Sequence, residues 1–341
     1  MRWEIIKETE IELWNEKLKQ TSASLFQYPY YLMGKYNSFL YNRFFLKYVA
    51  GDKELAFAAI IKYGVFPFKT VIIDDGPVVL EENINLQKML DDLINFLKKK
   101  FYIYLQIQPA NPRIENLLCN NEKFKKEIFY PFHKKEEAEW NIYNQPEDKL
   151  LASFKIQGRR KIVLAGRVPY KFIKMDKESH LQDVENLFKE VEKTKRRRYI
   201  PFSAMRIIYE KGKKHNLSDI YAAYLNDELV NAVLIVKDAQ CYYHFTSAMV
   251  VRGYKYNESP PAKLHLFIMQ DCFYNENKNY YNISFGGTSS LIRFKELFNP
   301  IEVKKPPYYT HILEETFFPL FKKILPKSPR IWKEYLNTEP S

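Results

Sequence analysis

The sequence has few of the residues on which phosphate-binding and metal-binding motifs depend. It contains only 10 glycines in 341 residues, and no GxxxxGK[ST], GxGxxG or GxSxG pattern is present. These absences exclude P-loop nucleotide hydrolysis, Rossmann-type redox chemistry and α/β-hydrolase chemistry. The three cysteines, Cys119, Cys241 and Cys272, lie far apart without a CxxC pair, and no HExxH pattern occurs. We therefore expect no paired-cysteine zinc site, no disulfide framework and no metal or other cofactor.

Long apolar runs are also missing from the sequence. The strongest candidate, Leu229–Val236, contains Asn231 and falls far short of the roughly 18 residues that a transmembrane helix needs, so it predicts a buried strand. The N-terminal segment carries acidic residues among its apolar ones and lacks the hydrophobic region of a signal peptide. Together with the cysteine pattern, these features favour the cytoplasm.

Acidic residues are outnumbered by basic ones, and the formal net charge is +12. Such an excess favours an anionic partner, which includes nucleic acid, phosphate groups and an acidic membrane surface. The chain is also rich in Lys, Asn, Ile, Tyr and Phe, as proteins of AT-rich genomes are, so mutational bias explains part of the charge equally well. Charge alone therefore does not select a function.

The two halves of the chain repeat one pattern. A strand, a polar turn, a Glu-Leu pair and a second strand occur in residues 49–62 and again in residues 223–236, and both segments predict β-hairpins. The helix and strand that follow each hairpin are Leu86–Lys99 with Tyr102–Gln108, and Ala262–Tyr274 with Tyr281–Phe285. Because hairpin, helix and strand recur in the same order and at the same offset, we predict two copies of one α/β domain.

Basic residues are concentrated in two segments of the second half. The first extends from Arg159 to Arg167, within the stretch 148–168 whose apolar residues lie near helical spacing. The second ends the helix predicted over His180–Arg198, where five cations lie between Lys193 and Arg198. The helix dipole explains one or two of these cations. A solvated helix end and a phosphate-binding cluster are both compatible with the remainder.

Three further segments occur in a characteristic order. Residues 25–31 read LFQYPYY and are followed by Lys35, and residues 139–168 begin EWNI and contain GRRKI and AGRV. Residues 285–288 read FGGT and precede a helix that carries Phe294 and Lys295. In this order the segments resemble the opening, inter-domain and closing motifs of the Fem-type (FemABX) aminoacyltransferases and of related acyltransferases of the GNAT superfamily.

The resemblance implies an α/β (α+β) fold of two tandem GNAT-like domains, each a mixed twisted sheet flanked by helices. No coiled-coil arm is expected, because the chain has no long heptad tract. We expect an N-terminal domain at residues 1–147, a C-terminal domain at 148–303, and an extension at 304–341 that packs on the domains. A substrate channel between the two domains is part of the same expectation.

The resemblance further implies transfer of an amino acid from aminoacyl-tRNA to an amine of a peptidoglycan precursor or a similar acceptor. The implied acceptor is a phosphorylated or lipid-linked muropeptide, used by a monomer with peripheral contact to the inner membrane surface. Some relatives instead use an acyl-CoA donor to acylate cell-envelope sugars or amines. Residues 250–261 lack the second small residue of the Q/R-x-x-G-x-G/A loop typical of acyl-CoA users, which favours aminoacyl-tRNA.

Lys295 is the catalytic candidate that the resemblance implies. We expect its ammonium to stabilise charge on the reacting carbonyl and on the leaving oxygen. Lys35 matches a family lysine that binds acceptor phosphate, and Tyr243 lies where relatives place a tyrosine that contacts substrate. The other substrate-binding residues that the resemblance implies are Arg198, Tyr199, Gly286, Gly287, Thr288 and Arg293.

Each of these assignments has a structural alternative. Lys295 and Lys35 would be solvated surface residues, the glycine pair would only make a turn, and Tyr243 would pack in a strand. His244 and His265 are isolated in the sequence and are interpreted as ordinary strand and helix residues. A non-catalytic nucleic-acid-binding protein, or an inactive scaffold in a cell-envelope complex, is the alternative to an enzyme.

Overall fold

The computed structural model describes eight segments of the chain: residues 1–36, 41–64, 69–126, 138–176, 180–195, 201–250, 258–284 and 289–320. They belong to two compact units. The first unit contains residues 1–137 together with the segment that begins at Lys305, and the second contains residues 138–304. Each unit is built around its own sheet.

The first unit has a mixed sheet in the order β1-β2-β3-β4-β6-β14, with β5 paired to β3. Its strands are β1 (Arg2–Ile5), β2 (Tyr41–Ala50), β3 (Lys53–Tyr63), β4 (Lys69–Ile73), β5 (Val78–Val79), β6 (Tyr102–Ile107) and β14 (Tyr309–Ile312). Its helices are α1 (Ile11–Lys19), α2 (Pro29–Lys35), α3 (Leu86–Lys99) and α4 (Pro112–Cys119). Neighbouring strands are antiparallel except for β4 and β6, which are parallel.

The second unit has a mixed sheet in the order β13-β7-β12-β11-β10-β9-β8. Its strands are β7 (Ala138–Tyr143), β8 (Lys171–Lys174), β9 (Ser218–Leu225), β10 (Glu228–Lys237), β11 (Cys241–Met249), β12 (Tyr280–Asn282) and β13 (Ile301–Lys304). Its helices are α5 (Glu147–Ser153), α6 (Ile156–Ala165), α7 (His180–Lys195), α8 (Phe202–Lys213), α9 (Pro261–Tyr274) and α10 (Ser289–Lys295). Only β11 and β12 pair in parallel among these strands.

The two sheets confirm the predicted repeat and fold class. In each unit, three successive antiparallel pairings lead to a helix, α3 or α9, and then to one parallel strand, β6 or β12. The predicted hairpins are β2–β3 and β9–β10. In the described ranges no helix exceeds the 16 residues of α7, and the coiled-coil arm of longer Fem-type proteins is not found there. None of the helices in those ranges has the length and apolar character needed to cross a membrane.

Helix α3 illustrates how the sequence produces these layers. The Asn85 side chain caps the helix by accepting a hydrogen bond from the Lys88 N–H at 2.9 Å. Met89, Leu93 and Leu97 recur at the i, i+4 spacing of one helix face, and each is 0% exposed in the core of the first unit. Burying a side chain of this size contributes about 1.5–3 kcal/mol, so the apolar face fixes the helix on its sheet.

The helical spacing over residues 148–168 corresponds to two helices, α5 and α6, that are interrupted at Phe154 and Lys155. At this break the Lys155 N–H donates to the Leu297 carbonyl oxygen at 3.0 Å. Gly158 allows the same carbonyl to approach α6, because a Cβ at this position would lie 2.5 Å from the oxygen. The backbone contact with Leu297 therefore lies at the point where the helical segment divides in two.

Candidate functional site

Lys295 ends helix α10 of the second unit and is buried, with 3% of its surface exposed. Its Nζ donates a hydrogen bond to Ser284 Oγ at 2.8 Å. The structure therefore excludes the interpretation of Lys295 as a solvated surface residue. A buried ammonium is costly unless polar groups hold it, which makes its place beyond strand β12 a candidate site.

Ser284 is a residue that the sequence analysis missed. It follows the last strand residues of β12 with a φ of 59°, in the left-handed region that non-glycine residues rarely adopt. Its N–H donates to Asn282 Oδ1 at 2.8 Å, which holds this conformation. The only sequence signal was its position before the glycine pair, because a serine hydroxyl there has no pattern of its own.

His265 and His244, isolated in the sequence, are in contact in the fold. Their ring centroids lie 5.2 Å apart, and His265 Nδ1 shares a hydrogen bond of 2.6 Å with the Tyr281 hydroxyl. Burial, and secondarily the charge of Lys295, lower the pKa of His265 to about 3. His265 is therefore neutral near pH 7 and is a poor general base there. The ring of His265, which is uncharged at this pH, lies close enough to Lys295 to be affected by its charge.

The aromatic side chains of Phe294 and Phe298 pack against His265. Their ring centroids lie 5.7 Å and 5.5 Å from that of His265, and Phe298 is fully buried. Rings of this kind exclude water and lower the local dielectric, so a charge on Lys295 acts more strongly than it would in solvent. The arrangement suits stabilisation of negative charge that develops on a bound substrate.

Tyr243 lies on strand β11, and its hydroxyl donates to Asp238 Oδ2 at 2.6 Å. Asp238 also accepts from the N–H groups of Gln240 and Cys241, at 2.9 Å and 2.8 Å. Burial raises the pKa of Asp238, although the Tyr243 hydroxyl and the two N–H groups oppose this effect. The hydroxyl of Tyr243 thus has a partner in the β10–β11 turn, and a role in substrate contact stays a prediction.

Lys35 lies in the first unit, at the end of α2, where its Nζ stands over aromatic rings. The distances to the ring centroids of Tyr31, Tyr36 and Phe26 are 5.4, 5.2 and 5.8 Å. Burial acts to lower the pKa of Lys35, but Tyr31, Tyr36 and Asp74 outweigh it and raise the pKa well above its ordinary value. Lys35 therefore keeps its positive charge in a partly buried aromatic setting.

The remaining predicted site residues fall into two groups. Arg293 is described and lies exposed on α10. The predicted substrate-binding residues that lie outside the described segments are Arg198, Tyr199, Gly286, Gly287 and Thr288. Lys295 and Arg293 share a helix in the second unit, and Tyr243 belongs to the same unit, whereas Lys35 belongs to the first.

Two mixed sheets, each with one helical crossover to a parallel strand, define the tandem GNAT-like class of fold. No family model matches the sequence, and no curated protein matches it either. The comparison that identifies the fold is therefore a comparison of structures.

The chain is similar to the crystal structure of FemX, with a TM-score of 0.76 and 14% identity over 94% of this chain and 100% of that chain. It is also similar to L-PGS from Bacillus licheniformis, with a TM-score of 0.58 and 13% identity over 95% and 97% of the two chains. A tandem GNAT protein from the clavulanic acid biosynthesis pathway gives a TM-score of 0.51 and 9% identity over 92% and 98%. The resemblance to the Fem-type and GNAT-like proteins is thus confirmed at the level of the fold.

Proposed function

We propose that the protein is an aminoacyltransferase that moves an amino acid from aminoacyl-tRNA to an amine of a peptidoglycan precursor or a similar acceptor. The observation that carries the proposal is the buried Lys295 ammonium, held by Ser284 at 2.8 Å in a FemX-like fold. The likeness to FemX extends over 94% of the chain with a TM-score of 0.76, against 0.51 for the tandem GNAT protein.

Aminoacyl transfer requires that the acceptor amine be positioned against the ester carbonyl and that the developing negative charge be stabilised. The acceptor nitrogen bonds to the ester carbonyl carbon, the bond from this carbon to the ribose oxygen breaks, and a proton passes from the amine to that oxygen. The ester is already activated, so no covalent nucleophile is needed. Lys295 donates to the oxygen that gains negative charge, and one such donor is worth roughly 2.7–4 kcal/mol. His265, with a pKa of about 3, is too weak a base to take up the amine proton. This proton instead moves through water or the substrate.

The substrate-binding roles follow the same proposal. Lys35 binds a phosphate of the acceptor, because its ammonium stays charged in its aromatic setting. Tyr243, Arg198, Tyr199 and Arg293 contact the acceptor or the donor, and Gly286, Gly287 and Thr288 contribute to substrate binding. The acceptor class is a phosphorylated or lipid-linked muropeptide.

A second candidate function is acyl-CoA-dependent acylation of a cell-envelope sugar or amine. The observation that favours it is the similarity to the tandem GNAT protein, which was solved without AcCoA. In this alternative Lys295 has the same task, because a thioester carbonyl also gains negative charge during attack. The two functions differ in the donor and in the range of acceptors, and the two donors can be compared in one assay on a shared acceptor.

Mass spectrometry of the acceptor tests both functions. A muropeptide precursor is incubated with the protein and either charged tRNA or acyl-CoA, and an added aminoacyl mass with the tRNA donor is the expected result. Lys295→Met is expected to lower transfer at least 100-fold without loss of the fold. The matched control is Lys171→Met, at an exposed lysine of β8, which is expected to retain activity. Product with acyl-CoA alone, or near-normal turnover by Lys295→Met, would contradict the proposal.

A further inference from the structure

A second polar cluster lies in the first unit, at the carboxyl ends of its two parallel strands. Asp74 and Asp75 follow β4, and Gln108 follows β6. The two ends are joined because the Gly76 N–H donates to the Gln108 carbonyl oxygen at 3.0 Å. In open α/β sheets, the edge beyond the carboxyl ends of parallel strands is where ligands bind. The cluster therefore lies at the edge of the sheet that favours ligand binding.

Two lysines share one aromatic ring at this edge. Lys305 Nζ lies 4.1 Å and Lys35 Nζ lies 5.8 Å from the centroid of the Phe26 ring. The Lys305 side chain is only 10% exposed. Two ammonium groups so close to one ring repel each other in a setting of low dielectric, which favours an anion near both.

The two aspartates hold the cluster together in different ways. Asp75 Oδ2 accepts from Lys305 Nζ at 3.1 Å and from Ser24 Oγ at 2.8 Å, and its φ of 50° lies in the left-handed region. Asp74 Oδ1 accepts from the Tyr308 hydroxyl at 3.1 Å. Strained residues of this kind are concentrated at functional sites. The Lys305 and Asp75 side chains are only 10% and 7% exposed. A buried ion pair of this kind adds little to stability.

Lys35 differs from Lys305 in its partners. Within the described segments, no carboxylate lies within ion-pairing distance of the Lys35 ammonium, whose near neighbours are the rings of Tyr31, Tyr36 and Phe26. Aromatic faces stabilise a cation only modestly, by about 0.5–2 kcal/mol. Lys35 is therefore not in a direct ion pair, and Asp74 acts on it only from a longer distance, whereas Lys305 is held by the adjacent Asp75 carboxylate.

We propose that Lys305 is a second ligand-binding lysine and that Lys305 and Lys35 together hold the oxyanion of a substrate phosphate. When the site is empty, Asp75 is the counter-ion of Lys305, and the bound oxyanion replaces it. The inference deepens the proposed function, on which the phosphate-binding role of Lys35 rests. It adds Lys305, Asp74 and Asp75 to the binding site, and none of these three has a motif in the sequence.

A consequence is that anion binding takes up a proton at Asp74. Burial and the charge of Asp75 raise the pKa of Asp74 to about 6, while Lys35, Lys305 and the Tyr308 hydroxyl act to lower it. A bound oxyanion beside Asp74 raises this pKa further, so the protein with ligand holds a proton that the free protein loses above pH 6. Affinity therefore falls as pH rises above about 6, by up to tenfold per pH unit.

Calorimetric titration with inorganic sulfate tests the site without any donor or acceptor, because the charge of sulfate is constant over this pH range. Lys305→Gln is expected to weaken sulfate binding by about tenfold or more, the usual effect of losing one hydrogen bond to a charged group. The matched control is Lys304→Gln, which removes the same charge one residue earlier at an exposed position and is expected to leave the affinity within about twofold of wild type.

Variants of Asp75 and Asp74 separate the loss of the lysine from the effect of the carboxylates. Lys305→Gln leaves the Asp75 carboxylate without its cation, so the double variant Lys305→Gln/Asp75→Asn keeps the pair neutral. The double variant is expected to bind sulfate more tightly than the single variant, because the charge of Asp75 no longer repels the anion, but more weakly than wild type. Titration in two buffers of different ionisation enthalpy counts protons, and we expect proton uptake near pH 7 in wild type and none in Asp74→Asn. Wild-type affinity in either Lys305 variant, equal loss in Lys304→Gln, or no proton uptake in wild type would overturn the inference.

Competition then identifies the source of the phosphate. Displacement of sulfate by tRNA or by coenzyme A assigns the site to the donor, and displacement by a phosphorylated muropeptide precursor assigns it to the acceptor. Displacement by none of the three would overturn the assignment to a substrate phosphate. Since sulfate binding requires no acyl transfer, a failure of the proposed function leaves this result standing, and a failure here leaves the transfer assay standing.

Discussion

Ser284 is the residue whose backbone and side chain both act on the candidate lysine. Its hydroxyl accepts from Lys295 at 2.8 Å, and its φ of 59° suits glycine better than serine. We expect Ser284→Ala and Ser284→Gly each to lower kcat of the transfer reaction by about tenfold with little change in KM, because each loses the same hydrogen bond to a charged group.

Stability separates the two Ser284 variants. Glycine adopts the left-handed conformation without the steric cost of a Cβ, which is about 1 kcal/mol, so Ser284→Gly is expected to unfold at higher urea than Ser284→Ala. Urea unfolding and steady-state kinetics on both variants check this. Full activity in Ser284→Gly would show that the hydroxyl does not position Lys295.

His265 makes stability depend on pH. The unfolded chain binds a proton at this histidine below about pH 6.5, whereas the folded protein does so only near pH 3, so stability is lost as pH falls through this window. The loss is up to about 1.4 kcal/mol per pH unit, or roughly 2 kcal/mol between pH 7.5 and pH 5. His265→Phe should remove this part of the slope when the free energy of unfolding is measured at both pH values. An unchanged slope would contradict the burial of a neutral imidazole.

The close contact of helix α6 with the backbone of Leu297 depends on Gly158. In an ordinary helix, alanine is more stable than glycine. Here a Cβ would lie 2.5 Å from the Leu297 carbonyl oxygen, so we expect Gly158→Ala to lower the free energy of unfolding by roughly 1–3 kcal/mol. Val163→Ala on the same helix, at a side chain 62% exposed, is the control and should change stability by less than about 0.5 kcal/mol. Urea unfolding measures both, and a stabilised Gly158→Ala would show that the backbone contact is not maintained.

Hairpins and apolar helices were predictable because their evidence is local. The predicted bounds of α3, Leu86–Lys99, agree with the structure, and the repeat predicted the shared order of hairpin, helix and strand. The burial of Lys237 was not predictable. It is fully buried and forms ion pairs with Asp219 and Glu276, which belong to other elements. From sequence alone, a lysine in a strand pattern predicts a solvent-exposed side chain. The acidic partners that allow Lys237 to be buried are known only from the tertiary structure.

The same reasoning applies to the candidate site. Lys295 was found through its resemblance to a motif, whereas Ser284, Lys305 and Asp74 carry no pattern of their own. Their role depends on which strand ends meet in space. Lys305 and Asp74 are separated by most of the chain and come together only because β14 joins β6 of the first unit.

At the scale of the whole molecule, the sheet of the first unit ends in a strand that follows the entire second unit in sequence. Strand β14 pairs antiparallel with β6, and Thr310 exchanges backbone hydrogen bonds of 2.9 Å with Lys125. The sequence pattern does not predict β14, because prolines interrupt the segment that begins at Lys305. The sheet of the first unit is thus completed by a segment that follows the second unit along the chain.

Thr310→Pro tests whether this late strand supports the first unit. Proline removes the buried N–H that donates to the Lys125 carbonyl oxygen, at a cost of roughly 1–3 kcal/mol, and it disfavours a paired strand. We expect faster hydrogen exchange of the β6 amides, Tyr102–Ile107, because β6 becomes the edge of the sheet when β14 is released. Thr310→Val keeps the backbone donor and the branched side chain, so its β6 amides should exchange at the wild-type rate. Unchanged exchange in Thr310→Pro would mean that the sheet of the first unit holds its edge without β14.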